Sequence, residues 1–365
     1  MLPGDIVHSE LVCREGSFQS IADLNEINPP VAPPKEVKTP LQGMSLLGQA
    51  SAFEARALDC KSLLGNVATI GQSTIWYAAP NAGKTLLALS LLTAAITRKA
   101  VLGRNCYYIN ADDNAHGIAE KLRLLDEYEV HTLVPGERGF NISDLLELLE
   151  IMANDDQCRG VVVILDTVKK AVDLMDKGKT TRLGVAIRRF TQKGGTFLGL
   201  AHTRKNPGTT GKAVYGGTTD LVEDCDAVFM LSAPVLDASK GLKVVQFEPL
   251  KLRGAGANEA YGYASEATSY QDLIASVVLV DHGDVRELQE LADRDDDEPI
   301  VAGIIACIEQ GICSKMQLTA AVAERVRVSR RAALAVLERY EGSAGNWEYS
   351  VKARGAKVYS LLPSD

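Results

Sequence analysis

No two cysteines in the 365-residue sequence are spaced C-x-x-C. The seven cysteines, at 13, 60, 106, 158, 225, 307 and 313, are odd in number and scattered, which argues against a disulfide framework and a zinc site and points to a reducing, cytoplasmic setting. Long apolar runs are also lacking. The longest, Leu86 to Ile96, is too short to cross a bilayer, and the opening residues MLPGDIVHSE carry acids where an export signal carries bases and then an apolar stretch. A soluble protein with no membrane partner is expected. No catalytic Ser/His/Asp set, metal-ligand cluster or internal repeat stands out. What remains, 46% hydrophobic and 24% charged, is ordinary globular composition, long enough for one large domain and a smaller one.

A net charge of −8 counts against a nucleic-acid partner when averaged over the chain, but the sign is unevenly spread. Residues 300–365 hold nine Lys/Arg and six Asp/Glu, so this tail is +3 and the remainder −11. Residues 1–41 end in NPPVAPPKEVKTP, whose prolines favour an extended linker, and are expected to form an arm. From 42 to 283, short apolar runs (Thr74 to Ala79, Cys106 to Ala111, Val161 to Leu165, Thr196 to Ala201, Ala227 to Leu231, Val244 to Phe247, Ala275 to Val280) alternate, in the first half, with stretches of helical period. That alternation predicts an α/β domain with a mostly parallel central sheet flanked by helices. The acidic, proline-ended segment 284–299 reads as a linker. In 300–365, Ile300 to Glu309, a helix capped at Ser314 by the S-x-x-Q pattern and another capped at Ser329 precede a hairpin built on Trp347 to Lys352 and Val358 to Leu362. This is the order of a small winged helix-turn-helix domain.

The stretch YAAPNAGKT (77–85) lies between an expected strand and an expected helix, the context a phosphate-binding loop requires. The pattern G-x-x-x-x-G-K-[ST] is met except for Ala78 in the first glycine position, where a small residue suffices if φ stays negative. The amides of Asn81, Ala82, Gly83, Lys84 and Thr85 can face phosphate oxygens, and Pro80 stiffens the turn without an N–H of its own. Lys84 would neutralise the outer phosphates of ATP, and Thr85 would ligate Mg²⁺. In VVVILD, Asp166 closes a buried strand at the edge where parallel sheets bind ligands, and would hold the Mg²⁺ shell through water. YYINADD ends another strand in Asp112 and Asp113, one of which could orient the attacking water or, equally, cap the following helix. FLGLAHTRKN brings His202 to the same edge as a γ-phosphate sensor or a structural histidine.

These motifs, with YGGTTDLVEDCDAVFML and EPLKLRG, resemble the RecA-like P-loop ATPases over roughly residues 45–280, particularly hexameric replicative helicases of the DnaB type and plasmid RepA-type helicases. The resemblance implies Lys251 and Arg253 as fingers acting on a neighbouring subunit, hence a homo-oligomer, ring or filament. It also implies catalysis by Lys84, Thr85, Asp112, Asp166 and His202, with Asp112 where the family carries Glu, and single-stranded DNA in a central channel lined by basic loops. Those loops would carry Lys169, Lys170, Lys177, Lys179 and Arg182, then Arg204, Lys205 and Lys212. In the tail, Arg330 and Arg331 could meet duplex DNA in a major groove, with Lys352, Arg354 and Lys357 on phosphates; a protein-contact role is the alternative. The expected function is an ATP-dependent DNA motor, which the resemblance implies is a replicative-type helicase. The other readings are a recombination mediator or DNA-binding regulator that uses ATP as an assembly switch, and an ATPase scaffold without nucleic acid.

Overall fold

Each of the seven apolar runs contributes a strand to a single ten-stranded sheet, as their β-branched and aliphatic content leads one to expect. The computed structural model describes residues 12–14, 17–19, 38–58, 61–171, 177–203, 219–254, 256–342, 346–352 and 355–362. The chain forms two compact units, Met1–Ala57 and Leu58–Asp365. The first contains an antiparallel pair, β1 (Val12–Arg14) and β2 (Ser17–Gln19), a 3-10 turn Pro40–Met44 and helix α1 (Ala50–Leu58). Pro40, expected in the extended arm, instead begins the 3-10 turn, where its missing N–H costs nothing.

In the second unit, β3 (Ser73–Ala78) leads through the phosphate loop into α2 (Lys84–Thr97). There follow β4 (Cys106–Asn110), α3 (Ala115–Glu127), β5 (His131–Leu133), α4 (Leu145–Asn154) and β6 (Val162–Asp166). After these come α5 (Val168–Ala171), α6 (Lys177–Gln192), β7 (Thr196–His202), α7 (Thr219–Asp224) and β8 (Ala227–Leu231). The sheet is ordered β8-β3-β7-β6-β4-β5 through its parallel part, so β3 lies inside it with β7 and β8 as neighbours. An antiparallel extension continues beyond β8: β9 (Val235–Asp237), β10 (Leu242–Leu252), β11 (Glu259–Ala264) and β12 (Val278–Val280). The strand β11 was absent from the expected set, and the expected run 275–280 divides into the end of α8 (Tyr270–Ala275) and β12.

Strand alternation sorts the side chains into two cores. On one face Trp76, Ala78, Tyr108, Ile164, Leu198 and Leu200 pack with Leu86, Leu87 and Leu89 of α2. On the other, Ile75, Tyr77, Ile109, Val163, Leu165 and Phe197 pack with Leu145 and Leu149 of α4 and Leu183, Ile187 and Phe190 of α6. Two residues beyond Ile164 and Leu200, the same alternation brings Asp166 and His202 to the α2 face. The apolar pattern therefore aims the polar strand ends at the phosphate loop.

The expected linker at 284–299 is not a break. It lies within α9 (His282–Glu309), one helix capped by the Asp281 side chain on the Gly283 amide, with Pro299 in its interior. The acidic run suggested a solvated spacer, but Asp297 is buried and its carboxylate accepts a hydrogen bond from Arg339 at 2.5 Å, with Asp293 3.7 Å from the same guanidinium. Near its start α9 packs Val285 against Val244 and Ala260, and near its end it packs Ile300, Ile304, Cys307 and Ile308 into the C-terminal core. The supposed boundary therefore runs along a helix shared by two cores.

The C-terminal core adds α10 (Lys315–Val326), α11 (Arg330–Arg339) and a hairpin of β13 (Trp347–Val351) with β14 (Lys357–Leu361). Ser329 caps α11 through the Ala332 amide as expected. Ser314 begins α10, but its hydroxyl binds the Gln317 side chain rather than a backbone amide. Trp347 fills the centre of this core, fully buried, with its indole N–H on the Leu337 carbonyl.

Candidate phosphate-binding and catalytic site

Ala78 is the last residue of β3 and is fully buried, and its φ is not positive, so the place of the missing glycine does not call for glycine's backbone freedom. The positive φ values fall later, at Asn81 (60°) and Gly83 (84°). At Gly83 a Cβ would also lie 2.9 Å from Cε1 of Tyr263, so this glycine is required twice over. The left-handed residues turn the loop towards the N-terminus of α2, whose fourteen residues present free amides and the positive end of a helix dipole. The Ala82 amide is directed back to the Ala79 carbonyl at 3.4 Å.

Lys84 is buried and folded back, its ammonium donating to the carbonyls of Ala78 (3.2 Å) and Ala79 (3.0 Å). Burial pushes its pKa down to about 8, against the pull of Asp166 and Asp112. A phosphate in the loop would supply the negative charge this ammonium lacks, favouring the protonated form. His202 lies beside it, Nδ1 3.4 Å from the Lys84 nitrogen and Nε2 3.8 Å from an Asp112 oxygen. Burial first, and then the Lys84 charge, lower the His202 pKa, so the ring is neutral at physiological pH. Facing an ammonium, Nδ1 acts as the acceptor, which leaves the proton on Nε2 towards Asp112.

Thr85 donates its hydroxyl to Oδ2 of Asp166 at 2.6 Å, so two oxygen ligands suited to Mg²⁺ already adjoin one another. That donor set would suit a hard divalent cation. The two neighbouring acids differ in their partners. Asp113 accepts a hydrogen bond from Asn110 (2.8 Å) and is closely paired with Lys121, so it is committed to the start of α3. Asp112 is half-exposed, between His202 and Lys170, the latter at 3.6 Å. Lys170, expected to line a channel, is therefore at this site, and its neighbour Lys169 is exposed on α5. Sequence reasoning did not single out Tyr108, which binds Asp166, nor Tyr263 beneath the loop. Tyr108 could have been found from its two-residue spacing to Asn110 on a strand beside VVVILD.

Lys251 and Arg253 are far from this cluster. Lys251 pairs across the sheet with Val228 and Arg253 donates its amide to Asp226, whose own amide binds Ser73, at the opposite end of β3 from the phosphate loop. The six residues of β3 separate the two ends by on the order of 15 Å. Lys251 donates to the Val222 and Glu223 carbonyls and Arg253 to that of Glu223 at 2.8 Å, at the end of α7. In the C-terminal core, Arg330 and Arg331 are exposed in the first turn of α11 and Lys352 is exposed after β13. Lys357 instead holds its ammonium 3.5 Å over the centre of the Tyr349 ring and 3.4 Å from Glu341, turned into the hairpin because the ring face and the carboxylate both attract its charge. Arg204, Lys205, Lys212 and Arg354 lie outside the described residues.

No described helix is long and apolar enough to cross a membrane. The chain has no match among the curated proteins. Residues 43–208 match the family model of an AAA domain, a span that includes the phosphate loop, Asp112, Asp166 and His202 and stops before Lys251. Taken with the mostly parallel sheet, that match fits a RecA-like ATPase and supports assignment to the P-loop class of ATPases.

Proposed function

We propose that the protein is an ATP-dependent DNA motor, a replicative-type helicase that hydrolyses MgATP between subunits of a homo-oligomer and acts on single-stranded DNA. The observation that carries this reading is the division of the site. Lys84, Thr85, Asp112, Asp166 and His202 converge at one end of the sheet, while the Lys-x-Arg pair belongs to the other end, away from its own phosphate loop, and in this reading would complete the site of another copy. In this scheme the loop amides and Lys84 hold the phosphates, and Asp112 orients the attacking water. His202 links that carboxylate to the Lys84 ammonium, so loss of the terminal phosphate changes the charge it faces. Mg²⁺, held by Thr85 and by Asp166 through water, would neutralise charge on the transferred phosphoryl group.

DNA as the partner rests on the basic residues of segments 169–182 and 204–212 and on the exposed Arg330, Arg331 and Lys352. The element order in 300–365, three helical segments and a hairpin, is that of a winged helix and supports duplex contact there. An assembly switch with little turnover is the second reading, favoured by Asp112, one methylene shorter than the Glu of the families it resembles. The test is phosphate release with and without single-stranded DNA, beside displacement of a labelled strand. The motor predicts stimulation and unwinding, reduced when Arg204 and Lys205 are changed to Glu and as salt rises. DNA-bound assemblies with no unwinding would favour the switch.

A further inference from the structure

The Asp166 carboxylate has a second partner besides Thr85. Tyr108, on the neighbouring strand β4 and on the same face of the sheet, donates its hydroxyl to Oδ2 of Asp166 at 2.9 Å. Both hydrogen bonds thus fall on one oxygen of one carboxylate. The two donors differ in what they can do next. Thr85 is a metal-ligand type at the start of α2, whose hydroxyl can give a lone pair to a cation while its proton stays on Asp166, whereas the Tyr108 ring is fully buried and locked among core residues. A second phenol nearby supplies a contrast: the Tyr270 hydroxyl is buried and has no hydrogen-bond partner among the described residues.

We propose that Tyr108 is a positioning residue for the cation site, holding Oδ2 of Asp166 from within the core so that the carboxylate keeps one orientation towards the cation shell. The inference rests on the reading of Thr85 and Asp166 as the Mg²⁺-holding pair. Without the Tyr108 hydroxyl, Asp166 would lose its partner fixed in the core, and ordering the carboxylate would come at the expense of cation affinity. The expected loss is that of a ligand-orienting hydrogen bond, about 10-fold to 100-fold in metal affinity.

The experiment is titration of Mn²⁺ into the full-length protein with a non-hydrolysable ATP analogue, with free Mn²⁺ read by its electron paramagnetic resonance signal. Tyr108→Phe keeps the ring and removes only the hydroxyl, and weakens nucleotide-dependent Mn²⁺ binding by about 10-fold or more. Tyr270→Phe, which removes a hydroxyl that holds nothing, leaves it unchanged. In turnover, Tyr108→Phe raises the Mg²⁺ concentration for half-maximal rate while the rate at saturating Mg²⁺ stays near that of the wild type. Equal Mn²⁺ affinity in wild type and Tyr108→Phe overturns the inference alone, as does equal weakening by both Phe variants, which would mean a packing role. Failure of the wild type to bind Mn²⁺ with nucleotide overturns the cation site and this inference together.

Discussion

Two variants that are inactive alone regain MgATP hydrolysis when mixed. Lys84→Ala removes the cation that meets the phosphates but leaves Arg253 intact, and Arg253→Ala does the reverse. Fingers of this kind contribute about 10³-fold or more to phosphoryl transfer, so each pure variant falls at least that far if the proposed intersubunit site is right. In a head-to-tail assembly each site takes its loop from one copy and its finger from the next, so random mixing restores roughly a quarter of the wild-type rate. The measurement is phosphate release from co-assembled mixtures. A finger acting within its own chain gives no recovery. Neither does a purely structural role, in which Arg253 matters only because it holds the Glu223 carbonyl.

Asp112→Asn is expected to keep nucleotide affinity and lose turnover by about 10²-fold to 10⁴-fold, the range for removing a general base or water-orienting group. Asp113→Asn is expected to behave in the opposite way. Its carboxylate is bound to Asn110 and Lys121, so the variant leaves Lys121 buried without its partner and lowers the melting temperature while turnover per folded molecule persists. Single-turnover rates at saturating nucleotide, with thermal melting of the same samples, separate the two acids. The reverse pattern would move the base to Asp113.

The sheet was legible because its strands are short β-branched runs with a polar residue at the exit, and VVVILD leading to Asp166 is the clearest case. Alternation then dictated which exits share a face, which is how Asp166 and His202 come to the phosphate loop although they are far apart in sequence. The antiparallel extension was partly missed because EAYGYA, with a central glycine and small residues, carries weak strand propensity and is held mainly by its neighbours β10 and β12. The acidic segment 284–299 misled for another reason. Charge density and Pro299 are local signals, whereas the pairing of Asp297 with Arg339 is separated by 42 residues and cannot be read from either end alone. The pairing that distinguishes Asp113 from Asp112 was hidden in the same way, since its partner Lys121 lies about two turns into the following helix α3.

The ATPase assignment meets its most direct test in phosphate release from MgATP by the wild-type protein, beside Lys84→Ala at equal concentration. Release that depends on Mg²⁺ and falls by on the order of 10²-fold or more in the variant is the expected result, because the buried ammonium is the fixed cation at the phosphate loop. Release that is unchanged in Lys84→Ala would mean that 80–85 is a strand-to-helix turn without a phosphate to bind.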